Sequence, residues 1–110
     1  MKQLAFIVKE SMLFDNLVVK VEQAFKLKLI SKDDEGRYIA RGNVDGFEVE
    51  IVDKIDRLSE ILCDENCVIY IRIRSNDFFN NDFEKYLKTQ LYKYGIEWIE
   101  YVWSPFPPPR

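Results

Sequence analysis

The chain has 110 residues, of which 47% are hydrophobic and 15% aromatic, enough to bury the core of one domain and to exclude disorder. Sixteen basic and nineteen acidic residues give a net charge of −3, and histidine is absent. That absence removes the commonest general base, every Ser-His or Cys-His nucleophile pair and the most frequent metal ligand. Cys63 and Cys67 are spaced C-x-x-x-C, wrong for a C-x-x-C redox motif and only half of a zinc site, so they read as two reduced thiols. The expectation is a protein that is not an enzyme and carries no metal and no cofactor. Met1-Lys2-Gln3 leads directly into an apolar run too short for a signal sequence, and no run reaches the roughly 20 residues of a membrane span. A cytoplasmic protein with no membrane partner is expected.

In chain order, Leu4 to Val8 is a continuous apolar run and predicts a central strand. Ser11 is a candidate cap for a helix whose stripe is Phe14, Leu17, Val18, Val21, Ala24 and Phe25. Asp33-Asp34-Glu35-Gly36 breaks the pattern. Arg37 to Val44, the turn Asp45-Gly46 and then Phe47 to Ile55 have the composition of a hairpin, with Phe47, Val49, Ile51 and Ile55 on one face and Glu48 and Glu50 on the other. Asp56 to Asn66 reads as a connector with room for a helical turn around Leu58 to Leu62.

Cys67 to Arg74 alternates again, Ile69, Ile71 and Ile73 against Val68, Tyr70, Arg72 and Arg74. A second helix follows, with Asn81 and Glu84 as a capping box, a stripe of Phe83, Leu87, Leu91 and Tyr94, and Gly95 as its stop. Ile96 to Trp103 is a last strand whose alternation selects neither face, and Ser104 to Arg110 is a proline-rich extended tail.

The predicted order is β-α-β-β-β-α-β. Burial of two amphipathic helices and one sheet is best met by an α+β two-layer sandwich: a mostly antiparallel sheet of about five strands with both helices on one face. The first helix also offers the first strand a crossover to a parallel neighbour. Residues 1–104 form the single domain and residues 105–110 the tail. The strand order stays open.

Charge is unevenly distributed. From Asp45 to Glu65 eight acids face two bases, a balance of −6, so the remainder of the chain sums to +3. Glu48 and Glu50 are either paired across the sheet with Arg72 and Arg74 or open to a partner. Asp53, Asp56, Glu60, Asp64 and Glu65 are either a solvated loop or an acidic lip for a basic surface. Their spacing does not fit a calcium loop. Tyr70, Tyr101 and Trp103 are candidate aromatic anchors, and Phe106, between prolines, either docks on a partner or packs back on its own domain. The acidic balance and the absence of a ribonucleoprotein aromatic motif argue against nucleic acid as a partner.

In size, charge pattern and α+β frame the chain resembles the immunity proteins of bacterial toxin systems, including those of contact-dependent growth inhibition. The resemblance implies a protein that binds the C-terminal domain of a cognate toxin, often a nuclease with a basic cleft, and blocks it. It implies a partner-binding surface of Glu48, Glu50, Asp53, Asp56, Glu60, Asp64, Glu65, Tyr70, Tyr101 and Trp103. A second reading is a small regulatory or ligand-binding domain of ferredoxin-like build that acts through oligomerisation. An enzyme ranks third, because strand geometry sets Glu48 and Glu50 side by side on a sheet face and not across a cleft.

Overall fold

A computed structural model describes residues 2–34, 37–53 and 66–109. Its elements are β1 (Gln3–Val8), α1 (Phe14–Phe25), β2 (Ile30–Asp34), β3 (Arg37–Val44), β4 (Phe47–Val52), β5 (Val68–Ile73), a 3-10 turn at Asn76–Phe78, α2 (Asn81–Lys93) and β6 (Trp98–Ser104). The six strands form one sheet in the order β2-β3-β4-β5-β1-β6, and every pairing is antiparallel. The α+β class is therefore as predicted, with one strand more than expected.

That additional strand is β2, which runs through Asp33 and Asp34 where the sequence shows a break. Its residues, Ile-Ser-Lys-Asp-Asp, carry neither apolar alternation nor a β-branched run, and its pairing with β3 along the full register from Ile30–Arg41 to Asp34–Arg37 makes it a strand. The parallel neighbour foreseen for β1 is absent: β1 lies between β5 and β6, antiparallel to both, and α1 carries the chain to the far edge of the sheet. Two caps also move. Leu13, without a side-chain bond, precedes α1 in place of Ser11, and Asn80 rather than Asn81 caps α2, its Oδ1 accepting the Phe83 N–H at 2.7 Å.

One sheet face is the core. Leu4, Phe6 and Val8 of β1, Phe47, Val49 and Ile51 of β4 and Ile69, Ile71 and Ile73 of β5 are buried together, as strand alternation requires. Both helices cover this face. Phe25 of α1 and Phe83 of α2 meet the Phe47 ring edge-on, at 6.2 and 5.1 Å between centroids, and Leu17, Val21, Leu87 and Leu91 fill the layer between. Without β2 and β3 the order of the rest is β4-β5-β1-β6, joined as β1-α1-β4-β5-α2-β6, which is the split βαβ arrangement of ferredoxin-like folds.

Two glycines fix the hairpin end of the sheet. Gly46 has φ +96°, the turn conformation that favours glycine, and a Cβ there would lie 2.0 Å from the Phe78 ring. Gly42 of β3 lets the loop after α1 lie directly on the strand, since a Cβ would meet Leu27 Cδ1 at 2.3 Å and the Lys28 carbonyl oxygen at 2.7 Å. The proline tail packs back on its own domain: Phe106 meets Phe79 edge-on at 5.8 Å, Pro108 is buried, and Asn81 Nδ2 donates to the Pro109 carbonyl at 3.3 Å.

Candidate functional site

The sheet face away from the helices is built by the other half of each strand's alternation. The two-residue turn at Asp45-Gly46 sets Arg41 opposite Glu50 and Asn43 opposite Glu48, and the β4–β5 register sets Glu48 opposite Arg72 and Glu50 opposite Tyr70. The result is a continuous ladder of charge. Arg41 Nε bonds Glu50 Oε2; Glu50 Oε1 accepts from Arg72 Nη2 at 3.0 Å; Arg72 Nη1 reaches Glu48 Oε1 at 3.2 Å; Glu48 Oε2 accepts from Arg74 Nη2 at 3.0 Å. Three guanidinium groups and two carboxylates leave this ladder with a charge of +1.

Glu50 is 4% exposed, and among the described residues it is the one buried charged side chain. Burial alone would push its carboxyl up, but the hydrogen bonds and charges of Arg72 and Arg41 outweigh burial and hold it below the ordinary carboxylate range. Arg72, bonded to Glu50, is correspondingly held above its ordinary value, and its guanidinium sits 5.6 Å from the Tyr70 ring centroid. Around the ladder the face grades from polar to apolar. The row Asn43, Glu48, Arg72, Gln3 and Ser104 lies at one end, and Ile39, Val52, Val68 and Ile7, ending on Glu100, lie at the other, cross-strand neighbours in register.

The structure separates the ten residues expected to share one binding surface. Glu48, Glu50 and Tyr70 lie on the open face, but the two acids belong to the ladder, so this face is not an acidic surface. Asp53 stands just beyond β4, half-buried, with its Oδ1 3.5 Å from Sγ of the buried Cys67 and its N–H donating to the Tyr38 carbonyl. Asp56, Glu60, Asp64 and Glu65 lie outside the described residues, as do Cys63 and the helical turn expected at Leu58 to Leu62.

Tyr101 and Trp103 are on the opposite, helix-covered face. Their register opposite Phe6 and Leu4 puts them there. Trp103 is 8% exposed, and its indole N–H donates to Glu84 Oε1 at 2.8 Å, which corrects its expected role as a free anchor. Lys88 Nζ lies 3.7 Å from the Tyr101 ring centroid and 3.0 Å from Glu84 Oε2. Burial would lower the Lys88 pKa, but Glu84 and Tyr101 outweigh burial and raise it. Glu84 therefore serves the α2–β6 seam and not the capping box assigned to it.

Arg41 is the residue of the ladder that sequence reasoning missed. Counting outward from Asp45-Gly46 pairs it with Glu50, a signal present in the hairpin itself. Among the described residues there is no group of three or more His, Cys, Asp or Glu able to hold a metal ion, and no helix long and apolar enough to cross a membrane. The fold and the open face thus define a small α+β domain of split βαβ topology with a charge-ordered sheet surface. No known protein family, curated protein or solved structure matches the chain.

Proposed function

We propose that this protein is an immunity-type inhibitor that binds a cognate bacterial toxin domain through the acids of the stretch from Asp53 to Glu65. The supporting observation is the ladder. Arg41, Arg72 and Arg74 neutralise Glu48 and Glu50 within the fold, so the acid excess of the central segment falls on residues 53–65, where five acids face Lys54 and Arg57. A concentrated acidic stretch steers a basic partner and sets its orientation. A nuclease domain, whose substrate cleft is basic, is the partner of matching chemistry.

Co-expression with the product of the adjacent upstream gene tests this reading. The expected result is a one-to-one complex through affinity purification and size exclusion, with loss of the toxin's activity. A neighbour that is toxin-like yet neither copurifies nor is inhibited overturns it.

The second reading, a ligand-binding domain acting through oligomerisation, is favoured by the β1-α1-β4-β5-α2-β6 topology. It predicts a rise in melting temperature with a small metabolite and no complex with a neighbouring gene product.

A further inference from the structure

The two edges of the sheet are not alike. β2 is five residues long and carries Lys32 and Asp33, charges of the kind with which edge strands resist further pairing. β6 is seven residues long and has Glu100 as its one charged residue, with Ile99, Tyr101 and Val102 exposed by 57%, 37% and 45%. Its only sheet neighbour among the described residues is β1.

The outward-pointing backbone groups of β6 follow from the bonds of β1. Val8 N–H donates to the Cys67 carbonyl at 3.0 Å, and Ile73 N–H donates to the Lys2 carbonyl at 2.8 Å, so the even-numbered residues of β1 bond to β5. By antiparallel alternation Gln3, Ala5 and Ile7 bond to β6, and their register partners are Ser104, Val102 and Glu100. Tyr101 and Trp103 therefore aim their N–H and C=O groups out of the sheet, and no described residue bonds to them.

We infer that β6 is a self-association edge, at which a second copy of this chain adds its own β6 antiparallel about a two-fold axis at Val102, independently of the function proposed above. The usable edge picks this centre. A register irregularity opposite Ile7 and Val8 interrupts the strand on one side, and Pro105, without an N–H, ends it on the other. What remains, Glu100 to Ser104, is centred on Val102. In that register Tyr101 and the second copy's Trp103 exchange two backbone hydrogen bonds, twice over by symmetry. Val102 packs on Val102, and Glu100 meets the hydroxyl of Ser104. A two-fold axis at Glu100 would instead bring two carboxylates face to face, and one at Tyr101 would set Glu100 against Val102. The joined sheets form one of twelve strands.

Sedimentation equilibrium of the full chain over a wide concentration range, with hydrogen exchange at the two extremes, tests the proposal. A reversible monomer–dimer equilibrium is expected, since an edge contact is small for an interface. The Tyr101 and Trp103 amides gain protection as concentration rises. Val102→Lys sets two ammonium groups together at the axis and weakens the dimer by about tenfold or more. Ser104→Lys sets an ammonium against Glu100 of the second copy and strengthens it severalfold, both variants keeping the far-UV circular dichroism of the parent. A monomer at every concentration with the two amides unprotected, or a dimer indifferent to both substitutions, overturns the proposal.

Discussion

Glu50 illustrates how a single residue orders a surface. A carboxylate this buried would be costly alone, and two arginines from the strands on either side make it tolerable by bonding both of its oxygens. Replacing it with Gln removes the charge and turns one of the two acceptor oxygens into an NH2 that faces a guanidinium, and is expected to cost about 3 kcal/mol in urea denaturation at neutral pH. Arg74→Ala, at the half-exposed end of the ladder, costs less than about 1 kcal/mol. The sign of the pH effect follows from the lowered carboxyl value. The folded state holds fewer protons at this site than the unfolded chain, whose ordinary value is 4.5, so the stabilisation is complete above that value and is lost as pH falls below it, through the folded value. Acid titration of the melting temperature should therefore be shallower in Glu50→Gln than in the parent over that range. An identical acid slope in the two proteins would remove the ladder from the account of stability.

At the scale of elements the β3–β4 hairpin is the pivot, because its turn sets the register that assembles the ladder. Gly46→Ala imposes a side chain where φ is +96° and where the Phe78 ring lies within 2.0 Å of the new Cβ. Destabilisation of about 1 to 3 kcal/mol is expected, with a shift of the Phe78 ring resonances that places the damage between the turn and the 3-10 segment. The hairpin was also the most legible part of the fold, since Asp45-Gly46 and the alternation of Phe47, Val49 and Ile51 are local signals. Both stripe helices were legible for the same reason. β2 was not, because a strand of Lys and Asp is defined by its neighbour and not by its own pattern. Nor was the face of β6: aromatic or apolar residues occupy both parities from Ile96 to Trp103, and only pairing with β1 and the Glu84 bond to the indole assign Trp103 to the core. For the candidate site, sequence pairing of Glu48 and Glu50 with Arg72 and Arg74 was correct in kind, and the third arginine was recoverable only by counting register through the turn.

Across the whole molecule the charge divides in a way that composition conceals. The central segment's −6 contains Glu48 and Glu50, which the arginines of the ladder more than neutralise, so the ladder is slightly positive while residues 53–65 hold the local acid excess. Under the proposed function, a partner with a basic cleft is drawn to residues 53–65 and not to the open sheet face. Long-range attraction acts on the rate of encounter, while short-range packing governs dissociation. The triple change Asp56→Lys, Glu60→Lys and Asp64→Lys reverses the sign of that stretch. Association with the cognate domain is expected to slow at least severalfold, and the steep fall of the association rate with salt should flatten or invert, since screening weakens repulsion as it weakens attraction. Replacement of Arg41 and Arg74 by Gln, on the sheet face, keeps a hydrogen-bond donor for each carboxylate and should leave the salt dependence near that of the parent. Stopped-flow measurements at low and high salt separate the two surfaces: equal effects of both sets would mean that net charge alone steers the encounter, and a larger effect of the arginine pair would move the binding surface onto the ladder.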